Sequence, residues 1–207
     1  MRLYDYFRSS AAYRVRIALN LKGLPYESVP VHLVKGEQSA PDYLALNPQG
    51  RVPALAVDGT VLVQSPAILE YLEETHPEPP LLPADPIRRA RVRSVAALIG
   101  CDIHSLNNLA ILRRLKAMGH EQPAIDKWYR HWVVTGLDAV EAMIEGGPFC
   151  FGETLTLADL YLVPQVFNAR RFSVPLAPYP KIQAAEAACL TLPAFRDAAP
   201  EVQPDAA

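Results

Sequence analysis

The first hundred residues contain no cysteine, and the whole chain of 207 has only three, Cys101, Cys150 and Cys189. They are far apart, odd in number, and form neither a Cys-x-x-Cys pair nor a zinc-ligand spacing. A disulfide framework and a dithiol redox site are excluded, and a reducing, cytoplasmic setting is expected. A basic excess is also missing. The net charge is −2, with 20 Lys and Arg against 22 Asp and Glu, so a nucleic-acid surface is not expected. The short run Arg88, Arg89, Arg91 and Arg93 reads as a solvated helix face. The N-terminus, MRLYDYFRSS, lacks the apolar core of a signal peptide. No stretch reads as the ~18 consecutive apolar residues of a membrane span, so no membrane partner is expected. Half of the residues are hydrophobic, enough for two small domains, each with its own core.

What is plentiful is proline, 20 in all, and its placement divides the chain. Residues 76–86, HPEPPLLPADP, carry five and can form neither helix nor regular sheet. They read as a boundary between residues 1–80 and 87–207. Before it, strand and helix signals alternate. Residues 1–7 suit a strand, and residues 10–22 follow with Val15, Ala18, Leu19 and Lys22 at helical spacing, stopped by Gly23. Residues 26–33 alternate, with Val29, Val31 and Leu33 on one face, and Pro30 points to an edge or irregular strand. A short helix over 40–46 ends at Asn47-Pro48. VPALAV and TVLVQS, joined by Asp58-Gly59, predict a hairpin. Ser65-Pro66 then opens a helix to Thr75, with Ser65 as the expected N-cap. The order β-α-β followed by β-β-α is the thioredoxin-like pattern. After the boundary, residues 87–118, 123–145, 156–171 and 179–190 are all helix-like. The fold class is therefore α/β plus all-α.

Three places in the first part could carry chemistry. At Arg8-Ser9-Ser10 either serine can simply cap the helix. The same geometry, exposed N–H groups at the positive end of a helix dipole, also suits an anion. A hydroxyl that donates to a thiolate lowers the thiol pKa, and because the turn has no cysteine the thiol would come from a cofactor. The second place is Val52-Pro53, whose bond is either trans or cis. The cis form would turn the Val52 backbone groups outward toward a peptide-like ligand. The third is Gln64-Ser65, a helix start suited either to ordinary capping or to an amino-acid carboxylate.

Together these places, and the helical second half, resemble the glutathione S-transferase superfamily over essentially the whole chain. SSAAYRVRIALNLKGLPYE is similar to the zeta-class signature, and LNPQGRVPAL, QSPAILEYLEE, LLPADP, TLADLYLVPQV, ARRFSVPLAPYP and QPD match that class too. The resemblance implies a thioredoxin-like domain followed by a helical one, and glutathione as cofactor. It also implies cis–trans isomerisation of a maleyl keto dicarboxylate, either maleylacetoacetate or maleylpyruvate, in the breakdown of aromatic compounds. A broad conjugating transferase is the other enzymatic reading, and a non-catalytic binding protein on the same fold is the reading from another class. The class usually carries cysteine where this chain has Ala11, so a mechanism that needs that thiol is excluded.

By the same resemblance, Ser9, or else Ser10, activates the sulfur, while Arg8 and Arg171 clamp the dicarboxylate. Ala11, Gln38, Val52, Pro53, Gln64 and Ser65 surround glutathione, as do Asp102, His104 and Asn108 from a helix on which Cys101, His104 and Asn108 share one face. Leu109 and Ala110 stand where a maleylpyruvate isomerase can carry arginines, which would alter substrate preference. A homodimer is the family precedent. No metal is expected, because no second ligand pair accompanies the Cys101–Asn108 group. Asp159, in Thr156-Leu-Ala-Asp, fits a capping box and is read as structural.

Overall fold

The computed structural model describes residues 1–206. Within it the chain forms two compact units, one of residues 1–80 and 190–206 and one of residues 81–189.

The first unit holds four strands, β1 (Arg2–Asp5), β2 (Glu27–Pro30), β3 (Ala54–Val57) and β4 (Thr60–Val63), in the order β2-β1-β3-β4. β1 runs parallel to β2 and antiparallel to β3. The hairpin β3–β4 turns on Asp58 and Gly59, both at positive φ, as the Asp-Gly pair requires. β2 lies at an edge and ends at Pro30, shorter than the alternation over 26–33 suggests. Its one neighbour, β1, ends at Asp5, opposite Pro30, and the Val31 N–H makes the last bond, to the Asp5 carbonyl. A proline is tolerated there because the strand is at the edge. Helix α1 (Ser10–Leu21) follows β1, and α3 (Ser65–Thr75) follows β4. A 3-10 turn (Glu37–Ser39) and α2 (Pro41–Leu46) lie between β2 and β3. Gly23 closes α1 at φ 64, a left-handed position that glycine occupies without a Cβ penalty.

The last residues belong to this unit although they follow the helical part of the sequence. They form α10 (Pro193–Arg196) and a 3-10 turn (Pro200–Val202). Backbone carbonyls of the tail accept from α1: Asn20 Nδ2 donates to Ala194 (3.1 Å), Tyr13 Oη to Phe195 (3.2 Å) and Arg16 Nε to Ala198 (2.9 Å). With α3 packed on it as well, α1 is buried along nearly its whole length, with Arg14 and Arg16 inside beside Val15, Ile17 and Leu19.

The second unit is helical, with α4 (Pro86–Ala97), α5 (His104–Asn107), α6 (Leu109–Ala117), α7 (Gln122–Met143), α8 (Leu157–Arg171) and α9 (Pro180–Cys189). Its core is drawn from Val92, Val95, Ile99, Val133, Leu137, Leu160 and Val166. The single helix expected over 87–118 is not a regular one. Residues Leu98–Ile103 form a π-helical turn, and Asn108 leaves the helix with an extended backbone (ψ 160°). The turn sits where Ile103 packs against the bare backbone of Gly136 in α7, at which a Cβ would meet Ile103 Cγ1 at 2.2 Å. The expected i, i+3, i+7 face through Cys101, His104 and Asn108 is therefore corrected: a π turn and a break separate these residues. By length and composition alone the stretch Pro86–Ala117 is apolar enough to cross a membrane, which the expectation of no such stretch missed. Asp102, His104, Asn107 and Asn108 fall inside it.

Candidate active site

The turn from β1 into α1 has a defined geometry. Ser9 is the N-cap of α1, with extended backbone (φ −71°, ψ 114°), and its Oγ accepts the N–H of Ala12 at 3.2 Å. A hydroxyl that accepts this bond still has its proton to donate. Ser9 is half-buried, whereas Ser10, the first helical residue, is only 4% exposed. The first turn of α1 contains no acidic side chain, so nothing of the helix's own opposes an anion at its positive end. Ala11 is half-buried in the same turn. Arg8 is exposed. Its Nη2 donates to Tyr6 Oη at 2.9 Å, and its guanidinium lies over the Phe7 ring at 4.9 Å.

The peptide between Val52 and Pro53 is cis, which settles the alternative left open by the sequence. The Val52 side chain packs with Tyr6, Val31 and Tyr43. The loop before it is braced on the Arg51 carbonyl, which accepts from Tyr43 Oη (2.6 Å) and Asn47 Nδ2 (2.7 Å). Burial pushes the Tyr43 hydroxyl up to about 12, so it remains a donor.

At the third place the structure corrects the expected cap. The N-cap of α3 is Gln64, with φ 71°, and Ser65 is the first helical residue, buried. Ser65 Oγ accepts from the buried Arg14 Nη1 at 3.4 Å. A glutamine at positive φ is a local strain of the kind that clusters at ligand sites. Gln64 Nε2 donates to Gln49 Oε1. Gln38 also lies in this unit, and its Oε1 is buried with no hydrogen-bond donor among the described residues. Gln49 and Arg14 escaped the reading of the sequence. Both sit inside quoted motifs, LNPQG and YRVRIAL, but nothing in their spacing marks a contact.

The remaining expected residues lie in the helical unit. Asp102 is exposed on the π turn, and His104 is half-buried at the start of α5. Asn108 is committed to capping α6: its Oδ1 accepts from Ala110 and Ile111, and its Nδ2 donates to the Ser105 carbonyl. Of the two arginines closing α8, Arg170 pairs with Glu186. Arg171 lies over the Phe172 ring at 5.7 Å and reaches Asn168 Oδ1 at 3.3 Å. Phe172 stacks on Tyr129, whose hydroxyl burial pushes up and Arg171 draws back down.

Asp159 forms the expected capping box and is fully buried. It accepts from the Thr156 N–H and the Cys150 N–H, both at 2.8 Å. No group of His, Cys, Asp and Glu suited to a metal occurs among the described residues.

The first unit thus offers a half-exposed hydroxyl at a helix start, a cis-proline turn and a strained helix entry. It also offers a buried amide oxygen that awaits a donor. These groups fit a thiol-bearing peptide. Residues 1–74 match the glutathione S-transferase N-terminal domain, and residues 122–202 match the C-terminal domain of that family. The chain belongs to the glutathione S-transferase family, in its zeta class. It is 55% identical to the maleylacetoacetate isomerase of Pseudomonas aeruginosa over 99% of this chain and 98% of that protein. The holo structure of a maleylpyruvate isomerase, described as a bacterial zeta-class glutathione S-transferase, is 54% identical. The two chains cover each other completely, with a TM-score of 0.98. A maleylacetoacetate isomerase from Methylobacterium extorquens, crystallised with malonate and glutathione, is 42% identical over the full length of both chains, with a TM-score of 0.96.

Proposed function

We propose that this chain is a glutathione-dependent cis–trans isomerase of a maleyl-substituted keto acid, converting maleylacetoacetate to fumarylacetoacetate in the breakdown of aromatic compounds. The observation that carries this reading is the 55% identity to a maleylacetoacetate isomerase across nearly the whole of both chains. The geometry of the β1–α1 turn supports it. Conversion of maleylpyruvate is the second reading, favoured by the 54% identity and the TM-score of 0.98 to an isomerase of that name.

Glutathione, when bound, supplies a thiolate that adds reversibly to a conjugated double bond and so frees it to rotate. Ser9 donates its hydroxyl proton toward the sulfur and favours the charged form. The uncompensated start of α1 adds to that preference. Val52 offers backbone groups to the cysteinyl part of the cofactor, and Gln38 an amide oxygen. Gln64 and Ser65 hold the γ-glutamyl end. Asp102, His104 and Asn108 are further cofactor ligands, with Asn108 the weakest candidate because its side chain already caps α6. Arg8 and Arg171 bind the substrate carboxylates and stabilise the negative charge that develops on the keto acid. We place the enzyme in the cytoplasm as a homodimer.

The test is a coupled assay on maleylacetoacetate and on maleylpyruvate, each with and without glutathione. The expected result is isomerisation that requires glutathione and leaves its concentration unchanged. A chain that isomerises neither substrate, or that consumes glutathione in a stable thioether, has a different function.

A further inference from the structure

The turn that carries Arg8 and Ser9 is not held by the elements on either side of it alone. Its peptide groups are pinned at Phe7 from two directions. The Phe7 carbonyl accepts from Arg16 Nη2 at 2.9 Å, and the Phe7 N–H donates to Asp205 Oδ2 at 3.0 Å. Arg16 is fully buried and is itself fixed. Its Nη1 reaches both carboxylate oxygens of Asp5, at 2.8 and 2.7 Å, and its Nε donates to the Ala198 carbonyl. Two residues beyond Phe7, Ser9 caps α1, and its own N–H donates to the Tyr6 carbonyl at 2.8 Å. One residue beyond Phe7, Arg8 lays its guanidinium over the Phe7 ring. Both polar groups of the Phe7 backbone are thus satisfied by side chains, one from α1 and one from a residue 198 positions away in sequence.

We infer that Asp205 is a positioning residue: by accepting the Phe7 N–H it sets the β1–α1 turn so that Ser9 and Arg8 face the reacting atoms. This rests on the reading of Ser9 given above. Asp205 is not needed to attach the tail. Asn20, Tyr13 and Arg16 hold Ala194, Phe195 and Ala198 independently. Losing the Asp205 contact should therefore loosen the turn without unfolding the unit. A small displacement of a catalytic donor is costly to rate even when it is nearly neutral for stability.

The role is separable from charge. An asparagine at 205 keeps the acceptor and removes the charge, while an alanine removes both. In the full-length enzyme, the pKa of bound glutathione is read from thiolate absorbance against pH, together with kcat/KM. Asp205→Ala is expected to raise the bound thiol pKa by about half a unit and to lower kcat/KM roughly tenfold. Asp205→Asn is expected to stay within about twofold of the parent, since its amide oxygen can still take the bond. Glu201→Gln, an exposed carboxylate in the same tail, serves as the control for mere loss of tail charge. If Asp205→Ala retains the parent's thiol pKa and rate, the inference is overturned. It is also overturned if Asp205→Asn falls as far as Asp205→Ala. A thiol pKa that drops equally in both variants would show that only the charge matters. If Ser9→Ala leaves the bound thiol pKa unmoved, it is the underlying reading of Ser9 that has failed. If Ser9→Ala shifts the pKa and Asp205→Ala does not, only the present inference has.

Discussion

α1 and α8 both begin after a Ser or Thr, and they use its hydroxyl differently. α8 begins after Thr156, which is 4% exposed, and its third residue, Asp159, closes the start completely. The carboxylate takes the Thr156 and Cys150 N–H groups and a further contact from Thr156 Oγ1 at 3.1 Å. α1 begins after Ser9, which is half-buried, has no acidic residue in its first turn, and accepts one N–H. A helix start that brings its own carboxylate has spent its positive potential on folding. One that brings none keeps that potential for a ligand. The two caps look alike as sequence, a Ser or Thr before an apolar run, and the acidic residue three positions on tells them apart.

The largest effect is expected where the start is closed. Asp159→Ala would leave the buried Cys150 and Thr156 N–H groups without their acceptor, and should cost about 3 kcal/mol or more of stability in denaturant titration. A loss below about 1 kcal/mol would mean that the box is not what holds the start of α8. The open start should behave in the opposite way. Ser9→Ala should cost only about 1 kcal/mol of stability, the value of an N-cap. Its kcat/KM should fall by roughly a hundredfold, as when a donor to a developing anion is removed. Ser10→Ala, at a nearly buried position, should change kcat/KM by less than about fivefold. A larger loss at Ser10 than at Ser9 would reverse their assignment.

This contrast also marks how far the sequence could be read. The strand and helix order of the first unit, the Asp-Gly hairpin, the edge strand carrying Pro30 and the Thr156–Asp159 box all rest on local signals, and the structure has them. Other features depend on what meets them in space. Ser65 reads as an N-cap from its position before Pro66, yet Gln64 takes that place at φ 71°. Residues 98–108 read as continuous helix because Gly100 and the Asn107-Asn108 pair are weak breakers that a long helix often tolerates. The π turn coincides with the close approach of Ile103 to Gly136, some thirty residues away. Arg16 and Asp205 carried no signal of partnership, since buried arginines are indistinguishable from exposed ones in a helix whose tertiary partner is the far end of the chain. The QPD motif was legible as a class feature but not as a contact.

A smaller effect would come from making the open start resemble the closed one. Ala11→Glu places a carboxylate in the first turn of α1, where it favours the dipole by about 0.5 kcal/mol. Stability should hold or rise slightly in thermal unfolding. The same charge would repel a thiolate at that helix start, so the bound glutathione thiol pKa should rise and kcat/KM should fall about tenfold. Unchanged activity in this variant would show that the potential at the start of α1 is not used.

The smallest effect concerns the chain's own thiols, and it tests the closed start from the other side. Cys150 sits beside Asp159, and burial together with that carboxylate pushes its thiol well up. Burial does the same to Cys189. Cys101 is exposed. A thiol reagent added to the native protein at about pH 8 should therefore label one cysteine per chain quickly, and label all three only after unfolding. Cys101→Ser should abolish the fast phase. Fast labelling of Cys150 in the folded chain would mean that α8 can hold a thiolate despite Asp159. The absence of a carboxylate would then no longer explain why the start of α1 suits a borrowed thiolate and the start of α8 does not.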